Sequence, residues 1–164
     1  MNDSRQAVLE KSGQLSKREE FAEALLMLDD LLAREPDFHQ AWAKRAYVND
    51  AKGELQAALE DVSRAIAISS LEPAYYDKRG RYLFQLHKYR DAVADFTRVI
   101  ELCDQHKSDY YRACAHFARA DAYIRLGEYE KAKFDLENVT DDHRAWTDRL
   151  RTKQDLLAEC FPEK

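Results

Sequence analysis

Ala24, Ala58 and Ala92 stand 34 residues apart, and alanine returns at Ala132 after a step of 40. Around each alanine the same frame recurs: Phe21, Leu55, Tyr89 and Tyr129 three residues before it, and Leu28, Val62, Phe96 and Leu136 four residues after it. Those offsets place the three side chains on one face of a helix. Twelve residues before each alanine stands a small residue, Ser12, Ala46, Gly80 or Ala120. The repeating unit is therefore predicted to be two antiparallel helices, A and B, meeting at small side chains, so that their axes approach to about 8 Å.

With this period and these small, aromatic and alanine positions, the chain resembles the tetratricopeptide repeat family. The copies run over residues 5–38, 39–72, 73–106 and 113–146. The resemblance implies an all-α fold: a right-handed α-solenoid of four helix pairs with a C-terminal capping helix at about 144–160, forming one domain over 1–164. Trp42 and Tyr76 fill the large position near the start of helix A, where Val8 and His116 depart from the pattern. The family proline at the end of helix B survives only as Pro36, and Asn49 stands where an apolar residue is usual.

Charged residues make up 35% of the chain and the net charge is -5, an acidic balance that argues against nucleic-acid binding through a uniformly basic face. The first fifteen residues hold no apolar stretch of signal-peptide length, and no run of about 18 apolar residues occurs anywhere, so the expectation is a cytoplasmic protein without membrane contact. Cys103, Cys114 and Cys160 form no CxxC pair and leave one thiol over in any disulfide scheme, which fits reduced cysteines.

Helix A of each repeat is expected to close at the position held by Gly53 and Gly127, where Glu19 and His87 make the turn less comfortably or with a different geometry. Pro73 suits a first helical turn. The six extra residues Lys107–Arg112 are expected to lengthen the fourth helix A behind a Ser108 cap and to project Tyr110 and Tyr111 beyond the array. Downstream, Trp146, Leu150, Leu157 and Cys160 recur at helical spacing, the apolar side of a polar-backed cap.

Little in the sequence points to chemistry. Four scattered glycines make no phosphate cradle. Cys103, His106, Cys114 and His116 form the one cluster with zinc-type ligands, but Cys114 and His116, two apart on a helix, point to different faces, which favours His116 as a helix-packing residue. The histidines are dispersed, and paired carboxylates such as Glu60 and Asp61 or Asp141 and Asp142 read as solvated charge. The expectation is no catalytic residue, no metal, no cofactor and no enzymatic activity.

The resemblance instead implies a partner-binding groove on the inner faces of the A helices. Carried over position by position, the groove includes Leu9, Lys17, Ala43, Lys44, Tyr47, Asp50, Asp77, Lys78, Arg81, Phe84, Phe117, Asp121, Ile124 and Arg125, with Tyr110 and Tyr111 as a second contact region. Lys44 and Lys78 occupy equivalent positions in successive repeats, with Arg81 one turn further, so a basic strip flanked by Tyr47 and Phe84 suits a protein or peptide partner with an acidic segment and an apolar anchor. Phe84 and Ile124 read equally well as core. The lysine and asparagine clamp with which chaperone-binding family members hold a C-terminal carboxylate is missing: Leu9, Gly13, Lys44, Ala74 and Lys78 stand at its positions. Two other readings remain, a small bacterial inhibitor or immunity-type protein and, against the period and the charge, an RNA-binding repeat.

Overall fold

Each predicted helix pair forms, because each has an apolar stripe that only a neighbouring helix can cover. A computed structural model describes residues 2–106, 111–146 and 150–161. In chain order the elements are α1 (Asn2–Lys17), α2 (Phe21–Arg34), α3 (His39–Lys52), α4 (Leu55–Ile68), α5 (Pro73–Gln85), α6 (Tyr89–His106), α7 (Arg112–Arg125), α8 (Tyr129–Glu137), strands β1 (Arg144–Trp146) and β2 (Leu150–Thr152), and α9 (Lys153–Cys160). They fall into two compact units, Met1–Leu71 with the first two helix pairs and Glu72–Lys164 with the last two and the C-terminal elements.

The alanines of the frame are the helix contacts: Ala24, Ala58, Ala92 and Ala132 are each 0% exposed. In the third repeat the small position is fully used, since a Cβ on Gly80 would lie 2.7 Å from Cε1 of the buried Phe96 ring. In the first unit Leu9, Leu28, Leu31 and Val48 form a continuous core, with Trp42 and Tyr47 packed on its margin. In the second, Phe117, Ala120, Ile124, Ala132 and Leu136 pack with Leu156 and Cys160 of α9.

All four A-to-B turns share one geometry. Glu19, Gly53, His87 and Gly127 have φ of 63, 88, 58 and 74°. The N–H of each donates back into its helix, and the next N–H donates one residue further back, as in Glu54 to the Asn49 carbonyl at 2.8 Å and Glu20 to that of Leu15 at 3.0 Å. This is the Schellman closure. The two non-glycine residues meet the same hydrogen bonds and bear the steric cost of a left-handed Cβ, about 1 kcal/mol.

Three expectations are corrected. The fourth helix A is not lengthened: α7 has 14 residues, like α3, and it is α6 that continues to 18. The extra turn is apolar on its inner side, with Leu102 and Cys103 both buried, and Arg112 at the start of α7 is ion-paired to Asp104. Tyr110 lies outside the described residues, and Tyr111 is half-buried rather than protruding.

The cap helix, second, begins at Lys153, not near 144; the residues before it pair as an antiparallel hairpin with Ala145 opposite Arg151. Thr152 sets that boundary: its side chain accepts from the Asp155 N–H while the Asp155 carboxylate accepts from the Thr152 N–H, a capping box that starts a helix at this point. The cap's inner face therefore carries Leu156 and Cys160, whereas Leu150 is 50% exposed. Third, Asp61 is not solvated but buried, for reasons given below.

Two stability predictions follow from these contacts. Gly80→Ala should destabilise by about 1 kcal/mol net, the clash with Phe96 outweighing the gain in helix propensity; in a Phe96→Leu background the same change should become neutral or stabilising in denaturant titration. Glu19→Gly should raise stability by about 0.5–1 kcal/mol by removing the left-handed Cβ, read as a higher thermal midpoint.

Candidate functional site

The A helices are held in place by a repeated ion pair. Arg45 donates from Nε and a terminal nitrogen to both oxygens of Asp61 (3.0 and 2.6 Å), Arg79 to both of Asp95 (2.7 and 2.7 Å), and Arg119 to both of Asp135 (2.8 and 2.6 Å). Each pair joins helix A to helix B across 16 residues of sequence. The three carboxylates are buried, and each guanidinium lies near an aromatic ring, Trp42, Tyr76 or Tyr123. Asn49 finds its purpose here, donating to Asp61 at 2.9 Å. His116 does likewise, with Nδ1 2.9 Å from Asp135. Burial alone would raise the Asp135 carboxyl, but hydrogen bonds from Arg119 and His116 hold it below its ordinary range.

With the B-helix side fixed, the opposite side of an A helix is left for other contacts. In the first unit it forms a recess of about 340 Å³ lined by Glu10, Gly13, Gln14, Lys17, Lys44 and Tyr47. Gly13 gives it its floor: a Cβ there would lie 3.4 Å from the Lys44 amine, which also sits 5.6 Å from the centre of the Tyr47 ring. Lys17, Lys44 and Tyr47 thus line one recess.

In the second unit the predicted groove residues divide. Lys78 is exposed and Arg81 donates to Asp77 at 2.9 Å. Phe84 is buried, with the Arg125 guanidinium 5.9 Å from its ring centre, and Ile124 belongs to the core. Phe117 and Asp121 are both 0% exposed, Phe117 within the core of the second unit and Asp121 paired with the buried Arg151. The His143 ring lies 5.1 Å from that of Phe117, and Arg151 donates to Asp121 at 2.6 Å. Of the cysteine and histidine cluster, Cys103 is buried, Cys114 is half-buried with its thiol pushed up by burial, and His116 is committed to Asp135. Among the described residues no three His, Cys, Asp or Glu side chains converge as metal ligands would, and no helix is long and apolar enough to cross a membrane.

Helix pairs of fixed period, joined at alanine contacts and by repeated ion pairs, define a helical-repeat protein. A tetratricopeptide repeat family model matches residues 15–73 and 78–139, and the chain belongs to that family. It is 28% identical over 162 residues to mouse (Mus musculus) DnaJ homolog subfamily C member 3, a match covering 93% of this chain and 31% of that protein. The chain thus spans about a third of the length of that relative. The crystal structure of MamA protein superposes with a TM-score of 0.72 at 18% identity, over 84% of this chain and 72% of that one. The first tetratricopeptide repeat domain of Spaghetti (RPAP3), bound to the HSP90 peptide SRMEEVD, gives 0.64 at 21% identity, over 74% and 92%.

The Asp135 arrangement sets a pH dependence. A carboxyl held below its ordinary range stabilises the fold fully above pH about 4 and loses that contribution as pH falls further. Asp135→Asn should cost about 3 kcal/mol near neutral pH and should flatten the acid limb of a stability-against-pH profile measured by urea titration.

Proposed function

We propose that the protein is a non-enzymatic protein-interaction module that takes an acidic peptide segment with an apolar anchor on its A-helix face, seated in the recess between α1 and α3. The carrying observation is that Lys17, Lys44 and Tyr47 line one recess, with the Lys44 amine beside both the Tyr47 ring and the bare backbone of Gly13. On an otherwise acidic chain these two amines supply local steering charge, and the ring and the glycine floor supply apolar surface that a bulky anchor can desolvate. Family membership supports protein binding as the general activity. The RPAP3 neighbour holds a peptide with three acidic residues, which supports an acidic ligand for this fold. The residues of the carboxylate clamp are replaced here, so side-chain carboxylates, not a chain terminus, are the groups the lysines read.

The test is fluorescence anisotropy with acidic peptides bearing one leucine or aromatic residue, SRMEEVD among them, each as free acid and C-terminal amide. Affinity should fall with salt and be indifferent to amidation. Lys17→Glu with Lys44→Glu should weaken binding at least tenfold, mainly through slower association, while circular dichroism stays unchanged. Equal binding by the folded double variant would remove the recess as the site.

A further inference from the structure

On the side of α7 that carries the ion pair, the fourth repeat departs from the others. Tyr123 stands where Leu15, Asn49 and Leu83 are buried in the first three repeats, and Phe134 stands where they have Leu26, Glu60 and Ala94. Only the fourth repeat has a ring at either position. Both rings line a recess of about 460 Å³ shared by α6, α7 and α8, together with Thr97, Arg119, Lys131 and Asp135. Phe134 is 64% exposed there. The polar groups at the base are bonded within the protein. The Arg119 guanidinium spans both oxygens of Asp135 and also donates to the Thr97 hydroxyl at 2.9 Å, which itself donates to the Val93 carbonyl at 2.8 Å. A ligand therefore gains little from hydrogen bonding at this base and most from covering the two rings.

We propose that this recess is a second partner-binding site, for a protein segment that carries an aromatic anchor with a carboxylate beside it. The proposal rests on the reading of the chain as a protein-interaction module but not on the recess of the first unit, with which it shares no residue. The recess is larger than any single side chain, so an aromatic anchor can enter and meet the rings of Tyr123 and Phe134. Charge decides what stands beside the anchor. Two cations attend the Tyr123 ring, the Lys131 amine 5.4 Å from its centre and the Arg119 guanidinium at 6.0 Å. Arg119 is neutralised by the buried Asp135, whereas the exposed Lys131 is held by Glu128, three residues away. A pair of that kind is worth little and exchanges readily. Glu130 does not offset the local charge, because Lys133 is bonded to its carboxylate. A carboxylate from the partner can thus take up the Lys131 amine at the rim while its aromatic neighbour covers the rings. A partner cation would meet two like charges at the same place. Covering an exposed phenylalanine supplies most of the affinity, and the Lys131 contact supplies the selectivity.

Nuclear magnetic resonance on the whole chain tests this with two probes, acetyl-Glu-Glu-Phe-amide and acetyl-Lys-Lys-Phe-amide. The acidic probe should shift the amide resonances of Tyr123, Lys131 and Phe134 in a saturable manner, and at low salt it should bind about tenfold more tightly than the basic one. Phe134→Ser, at an exposed position that Glu60 and Ala94 fill in other repeats, should leave circular dichroism unchanged and abolish these shifts. Lys131→Glu should keep the fold and reverse the preference between the probes. Absence of saturable shifts in α7 and α8 of the parent, or shifts that survive in Phe134→Ser, would overturn the proposal. Equal binding of the two probes would overturn the choice of a carboxylate-bearing partner. The two recesses report separately, since shifts at Lys17, Lys44 and Tyr47 belong to the first unit. If the acidic probe moves those resonances alone, the first recess stands and this one falls, and the reverse.

Discussion

Everything in this chain depends on how closely two helices can approach within one repeat. The frame alanines have no exposed surface, and the small position of each repeat stands the same distance in sequence before a larger B-helix residue: Ser12 before Leu28, Ala46 before Val62, Gly80 before Phe96, Ala120 before Leu136. The bulkiest of the four B residues faces the residue without a side chain, and there the fit leaves no room for a methyl group. Interiors are packed closely enough that such a crossing tolerates one combination of volumes and resists the next. The two helices of each repeat thereby approach closely at these positions.

That separation is what makes the arginine–aspartate pairs possible. Arg45, Arg79 and Arg119 each precede the small position by one residue, and Asp61, Asp95 and Asp135 precede its B-helix counterpart by one. With the axes close, a guanidinium reaches both carboxylate oxygens from across the pair. Buried pairs of this kind add little net stability but penalise any register in which one charge is left alone. They fix the rotation of helix A about its axis and so decide which side chains face outward. The first repeat has Lys11 and Met27 at these positions; Lys11 turns to Glu23 at 3.6 Å in solvent, and Met27 packs on the core.

The period, the crossing alanines and the two glycine turns are legible in the sequence, because each depends on contacts within one repeat or on one backbone angle. The ion pairs obey the same period and could have been found by tracking charge as well as apolar residues. They are missed when a carboxylate such as Asp61 is read one helix at a time, where it resembles any solvated acid. The hairpin before α9 is illegible for a different reason. Residues 144–160 hold apolar side chains at helical spacing, and only the short-range exchange between Thr152 and Asp155 marks where the helix begins. The burial of Arg151 depends on Asp121, 30 residues earlier, a contact that no local pattern announces. The extra turn likewise went to α6, whose end buries Leu102 and Cys103, instead of to α7.

The same chemistry thus plays two parts. In Arg119–Asp135 both partners ride on helices locked by an alanine crossing, so separating them means breaking the repeat. In Arg151–Asp121 one partner rides on a three-residue strand whose companion strand is also three residues long. Two short strands are far from stable alone, so their order is conferred by what they touch. Asp121, fixed on α7, therefore places Arg151, and not the reverse.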